Sequence, residues 1–154
     1  MAKTIEASEL ESHAGYWLRF VSNHVSHAFM QKVEAEGVTV AEWAIMREML
    51  RSGPVHPSQA AQRLGMTRGA ISKLVNRLCH KKLVARTSAS NGDRRYQRVT
   101  LTAAGKRLVP RLAQLADEND REFFGHLTVG QQRDLVQLLK EIVHRHGWKE
   151  VPVK

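Results

Sequence analysis

Two stretches of this 154-residue chain carry side chains that can hydrogen-bond to bases or phosphates, at spacings that would let them act together. The first follows Thr67. Read as a helix at 100° per residue, it puts Gly69, Ser72, Lys73, Asn76 and His80 on one side, with Arg77 at the edge. Ile71, Leu74, Val75 and Leu78 keep the i, i+3, i+4, i+7 spacing of a buried face. No acid interrupts the polar side. Arg68, in the first turn, has the reach for a bidentate pair with guanine, and Asn76 has the donor and acceptor that adenine requires. Thr67, Ser72, Lys73 and Arg77 suit phosphate or mixed contacts. Gly69 costs about 1 kcal/mol against alanine inside a helix, a cost explained if the backbone must come close to a flat surface such as a groove floor.

The second stretch, "SNGDRRYQRVTLT" at 90–102, places Arg94, Arg95 and Arg98 on the tip and flank of a hairpin. Ser90-Asn91-Gly92-Asp93 is turn-forming, and alternation from Tyr96 onward reads as a strand. Arginine suits a narrow minor groove, where negative potential is concentrated. Asp93 repels phosphate, so its expected role is to hold an arginine, Arg95 in particular, by a bidentate pair.

The distribution of charge supports the same partner. Net charge is +9 with a pI near 10.2. Residues 63–111 carry thirteen Lys/Arg and one acid, whereas the other 105 residues carry eleven basic and fourteen acidic side chains. A uniformly solubilising surface would not be arranged this way; a phosphate-binding one would. A basic membrane-binding segment is more often a single amphipathic helix or a tail, so double-stranded DNA is the favoured partner and no membrane is expected. The opening Met-Ala-Lys-Thr-Ile-Glu has no apolar stretch, so no signal peptide is expected. One cysteine excludes an internal disulfide and fits a reducing cytoplasm.

Six helices and one hairpin position these residues. Capping boxes at Ser8–Glu11, Thr39–Glu42 and Thr128–Gln131 open the first, second and last helices. The first has apolar positions Leu10, Ala14, Trp17, Val21, Val25, Ala28 and Val33, and Gly37 ends it. The second runs to about Arg51. Pro57 sits at the first position of a short third helix through Leu64; Gly65-Met66 turns, and Thr67 caps the fourth, to about Lys82. Leu83–Thr87 and Tyr96–Leu101 form the hairpin. Thr102 caps the fifth helix, in which Pro110 removes one backbone bond and is expected to kink it. The last helix carries Leu135, Leu138, Leu139, Ile142 and Val143, and Gly147 stops it. "PSQAAQRLGMTRGAISKLVNRL", 57–78, has helix-turn-helix spacing, with small Ala61 at the helix crossing and Gly65 in the turn. The hairpin directly after it makes a winged helix.

Asp93-Arg94-Arg95 followed by Val99-Thr100-Leu101-Thr102 resembles the wing signature of MarR-type (multiple antibiotic resistance regulator) transcription factors. "LVAR" at 83–86, the helix-turn-helix, and one long helix before the module with two after it are similar to that family over essentially the whole chain. The implied fold class is mainly α (α+β). Residues 1–37 would be an N-terminal dimerisation helix, 38–101 the winged helix-turn-helix and 102–154 the C-terminal dimerisation helices. The resemblance implies a homodimer reading a pseudo-palindromic operator, usually as a repressor relieved by a small ligand. The family's wing aspartate and arginine carry over to Asp93 and Arg95. The dimer has independent support, since the terminal helices have apolar stripes with too few partners in one chain of this length. Two-fold symmetry would set the recognition helices about 34 Å apart.

Many members of that family bind aromatic acids or phenols between the dimer helices and the winged module. Here His13, Trp17, Phe20, His24 and His27 form a second stripe on the first helix, with Trp43 and Met46 of the second able to face it. The expected effector pocket is Trp17, Phe20, His24, Trp43 and Met46, suited to a flat anionic ligand; core or dimer interface is the competing role for such a stripe. The family's peroxide sensors use a cysteine near the first helix, where this chain has none; Cys79 reads as an inert thiol. His24/His27 and His144/His146 lack tight metal-ligand clusters, so neither metal nor cofactor is expected. No phosphate loop, nucleophile elbow or HExxH is present, which argues against an enzyme. The alternative function is a non-specific architectural DNA-binding protein, though the polar variety of the fourth helix favours base reading.

Overall fold

The computed structural model describes residues 7–87 and 97–149. Helices α1 (Ala14–Ala35), α2 (Val40–Ser52), α3 (Pro57–Arg63) and α4 (Arg68–His80) are followed by strands β1 (Val84–Thr87) and β2 (Arg98–Leu101), then α5 (Ala103–Phe124) and α6 (Val129–Arg145). The two strands pair antiparallel, with Val84 opposite Leu101 and Thr87 opposite Arg98. Val55, in the turn before α3, adds a bridge to Val99 through paired backbone bonds of 3.0 and 2.9 Å. The fold is a winged helix-turn-helix between long flanking helices.

Local signals account for most boundaries. Thr39 and Glu42 exchange both bonds of a capping box, as do Thr128 and Gln131; Thr67 and Thr102 accept from Ala70 and Gly105 N–H. Each satisfies a donor that a helix start leaves open. Gly65 takes φ 61° between α3 and α4, a left-handed conformation that favours glycine. Helix α4 stops at His80, earlier than the sequence suggests, because Lys82 itself turns left-handed at φ 58°. Helix α5 continues through Pro110.

The first capping box does not form. Leu10–Ser12 instead closes a single 3₁₀ turn, and α1 begins at Ala14 with His13 as its cap and no side-chain cap bond. The early turn separates Ser8 and Glu11 from the helix they would have capped.

Two apolar clusters form the core. The larger packs Ile45, Met46, Ile71, Leu78, Val99 and Val109 among others, binding α2, α3 and α4 to the hairpin and the start of α5. The smaller joins Val33 and Val38 to Leu112 and Leu115, where α1 crosses α5. Helix α5 therefore ties the winged module to α1. Helix α6 has no buried residue, and of α1 only Val33 is fully buried.

Candidate nucleic-acid interface

Helix α4 presents the polar side that its sequence predicts. Ile71, Leu74, Val75 and Leu78 are buried, which fixes the rotation of the helix, and Thr67, Arg68, Gly69, Ser72, Lys73, Asn76 and Arg77 are exposed. Arg68 and Lys73 form no ion pair with any described residue, leaving their charge available to a partner. A Cβ built on Gly69 would meet nothing within 4 Å. Packing among the described residues therefore does not require the glycine.

The far end of α4 differs. The Arg86 guanidinium on β1 donates to Asn76 Oδ1, so that oxygen is engaged within the chain. A bidentate adenine pair needs both the amide oxygen and nitrogen, so Arg86 competes for the oxygen that Asn76 would use. Arg77 Nε donates to Glu42 Oε1 at 3.1 Å. The sequence gives no hint of either pairing, since the partners lie ten and 35 positions away.

The base of the hairpin is anchored beside α4 by buried Val84, Val99 and Leu101, with Arg86 and Arg98 exposed. The expected tip contacts Asp93, Arg94 and Arg95, and Tyr96 at the start of the second strand, lie outside the described residues.

Two carboxylates of α2 tie it to the helix-turn-helix, Glu42 to the end of α4 and Glu48 to α3, and sequence reading assigned neither a role here beyond Glu42's cap. Glu42 is fully buried and accepts from Thr39 N–H (2.9 Å), Lys81 Nζ (2.7 Å) and Arg77 Nε. Burial alone would raise its pKa. The bonds from Lys81 and Thr39, with the charges of Lys81 and Arg77, outweigh it and hold the carboxyl below its ordinary 4.5. Glu48 joins α2 to α3 through Arg63 (2.5 Å), with Arg51 and Ser52 also on its oxygens. Burial again pushes its carboxyl up, and Arg63, Ser52 and Arg51 bring it below the ordinary value.

Both groups are more acidic folded than unfolded. Their contribution to stability is complete above 4.5 and is lost as pH falls through the folded values. Denaturant unfolding at successive pH values should show stability falling below 4.5, and falling less steeply in Glu42→Gln. Parallel curves for the two proteins would mean that Glu42 titrates alike in both states.

The expected effector residues separate into two places. Trp17, Phe20 and His24 line an open, largely apolar cleft of about 1170 Å³, with Phe123 and Phe124 of α5 and Leu135 and Leu139 of α6. Met46 does not reach it, being fully buried in the winged-helix core. Trp43 packs edge-on against Phe29 at 5.1 Å, with the Arg47 guanidinium 5.3 Å from its ring centre. Met46 thus faces the core of the module and Trp43 the α1–α5 cluster, and neither lines the cleft that Trp17, Phe20 and His24 share. Cys79 is half-buried against the core. Among the described residues no group of three or more His, Cys, Asp or Glu could hold a metal ion, and no helix is long and apolar enough to cross a membrane.

Residues 36–95 match the model of the MarR family. The transcriptional regulator HosA of Escherichia coli is 24% identical over 118 residues, 77% of this chain and 87% of its own. Among solved structures, Bordetella bronchiseptica BpsR, described for regulation of its DNA binding by 6-hydroxynicotinic acid, superposes with a TM-score of 0.74 at 22% identity, covering 88% of this chain and 98% of its own. A mutant MarR from Escherichia coli complexed with operator DNA gives 0.72 at 23% identity over 88% and 99%.

Proposed function

We propose that the chain is a MarR-type transcriptional regulator, working as a homodimeric, sequence-specific DNA-binding repressor in the cytoplasm and released from its operator by a small aromatic or phenolic ligand, a reading supported by the family-model match over residues 36–95 and by the relatives named above. The observation that carries the reading is the exposed, acid-free face of α4, held by its buried opposite face and flanked by a basic hairpin. Helix α4 enters the major groove, Arg68 reads a base edge, and Thr67, Ser72, Lys73 and Arg77 meet phosphates. Gly69 lets the backbone approach. Arg94 and Arg95 at the wing tip reach the neighbouring groove, with Asp93 orienting Arg95. Asn76 contributes through its pair with Arg86 or after that pair opens.

The unpartnered apolar faces of α1 and α6 support a dimer. Trp17, Phe20, Val21, Leu138, Leu139, Ile142 and Val143 are all more than a third exposed, an apolar surface larger than a soluble monomer ordinarily leaves to water. A second copy covers it. The relatives described with operator DNA and with 6-hydroxynicotinic acid support the operator and the effector class. Trp17, Phe20 and His24 offer a flat aromatic acid ring faces and an imidazole at the edge of the subunit boundary. A ligand seated there acts only by binding the released arrangement of the dimer better than the operator-bound one.

Selection of duplexes from random sequence by the purified protein at physiological salt tests the reading. A two-fold symmetric site with half-sites about one helical turn apart is expected, and absence of enrichment would point to non-specific binding. On the enriched duplex, Arg68→Ala should lose about 1–3 kcal/mol and relax preference at one position per half-site. Equal weakening on all sequences would make Arg68 a phosphate contact. Arg95→Ala should weaken binding while fold and dimer persist; unchanged affinity would remove the wing from the mechanism.

A further inference from the structure

Glu42 carries more than a helix cap requires. It stands at the third position of α2, where its side chain bonds Thr39 N–H and Thr39 Oγ1 accepts Glu42 N–H at 3.1 Å. Glutamine makes the same reciprocal cap, as Gln131 does at the start of α6. A carboxylate that is 0% exposed needs paired cations to offset its lost hydration, and two are supplied from the end of α4.

Those two cations are held differently. Lys81 Nζ lies 2.7 Å from Glu42 Oε2 and 2.9 Å from the Gly37 carbonyl, so its charge is directed inward to the α1–α2 junction. Arg77 gives Glu42 only its Nε, and its side chain remains 55% exposed. A guanidinium is rigid and planar. Holding the Nε edge therefore restricts where the terminal N–H groups can point, on a side chain that remains exposed one turn from Lys73. Because the carboxylate is beneath the surface and paired with two cations, the cluster keeps a net positive charge toward a polyanion.

We propose that Glu42 is a positioning residue for DNA binding, gripping the Nε edge of Arg77 so that the terminal N–H groups of that arginine meet a backbone phosphate. This rests on the reading of α4 as the DNA-contacting helix. Each phosphate contact contributes about 0.9 to the slope of log affinity against log salt. Arg77 then supplies one such contact per subunit, and supplies it only while Glu42 is charged and in place.

The test is that slope, measured on the duplex the wild-type protein enriches. Arg77→Ala should shift it by about 0.9 per subunit. Glu42→Gln, which keeps the cap, should shift it by a similar amount, and adding Arg77→Ala to Glu42→Gln should change it little further. A merely structural Glu42 would lower thermal stability but leave the slope of the folded protein unchanged, with the two substitutions additive; that result overturns the proposal. Arg77→Lys leaves Glu42 intact and so guards against a variant that does not fold. One ammonium cannot hold both Glu42 and the phosphate as the fork does, so this variant should resemble Arg77→Ala. A wild-type slope in Arg77→Lys means that only charge matters and overturns the positioning role. Wild-type protein that binds no duplex overturns the DNA-binding reading itself, an outcome distinct from either of these.

Discussion

Leu139→Glu should convert the protein to a monomer and reduce operator affinity by at least about a hundredfold, the lower end of what joining two binding modules contributes. Leu139 lies on α6 where the cleft shared with α1 meets a second apolar hollow toward the end of the helix. The residue is 38% exposed and belongs to neither apolar core cluster. A glutamate there costs the isolated chain almost nothing, because it can point to water. At a two-fold contact the same substitution is made twice and removes two apolar anchors while placing two carboxylates in a poorly hydrated surface. Each subunit keeps α4 and the hairpin, but binding one half-site no longer holds the second at high effective concentration. Light scattering or sedimentation should show one chain per particle, and far-UV circular dichroism should show unchanged helix. A variant that remains dimeric would place the dimer contact elsewhere, and a wild-type protein monomeric at micromolar concentration would remove the dimer from the proposal altogether.

The second large effect is expected at a glycine. Gly105→Ala should destabilise the fold by about 3 kcal/mol, the upper part of the range for overpacking a close contact. A Cβ there would lie 2.2 Å from the Leu83 carbonyl oxygen and 3.1 Å from Leu101 Cδ2. The first of these is backbone, so no rotamer change relieves it. That carbonyl also accepts the Thr102 N–H at 3.0 Å, and Gly105 N–H donates to Thr102 Oγ1 at 3.1 Å. The clash thus falls on the junction that fastens the end of the hairpin to the start of α5. Either β1 or α5 must shift, and both contribute to the larger core. Gly69→Ala offers the contrast. Its Cβ meets nothing, so stability should rise by up to about 1 kcal/mol from helix propensity, while operator affinity should fall if the backbone at Gly69 approaches the groove. Chemical denaturation of the two variants, with operator titration of the second, separates a glycine kept for packing from one kept for binding. Equal stability effects at the two positions would contradict the contact geometry.

Much of the winged module was legible in the chain. The caps at Thr39, Thr67, Thr102 and Thr128 depend on residues within three positions, and the inward face of α4 follows from a helical period. Both are local properties. The same locality made Ser8–Glu11 misleading: a capping box can be written in the sequence and remain unused when a neighbouring 3₁₀ turn takes the segment first.

The apolar stripes were less informative. The sequence shows that Trp17, Phe20 and Met46 are large and apolar, but whether each ends in the core or at the surface depends on which distant segment packs over it. Met46 is enclosed in the core that α2 shares with α4 and the hairpin, whereas Trp17 and Phe20 face a cleft that no described residue fills. Residue type and spacing thus determined the helix order, the winged module and the basic polar face that a polyanion would meet. Tertiary packing alone decided that Glu42 is buried beneath Arg77 and Lys81, that Asn76 gives its oxygen to Arg86, that Gly105 has no room for a methyl group, and that α1 and α6 are left with apolar faces uncovered. The reason is physical: a hydrogen-bonding pattern along a helix is set by near neighbours, while burial and ion pairing are set by whatever the fold brings from far along the chain.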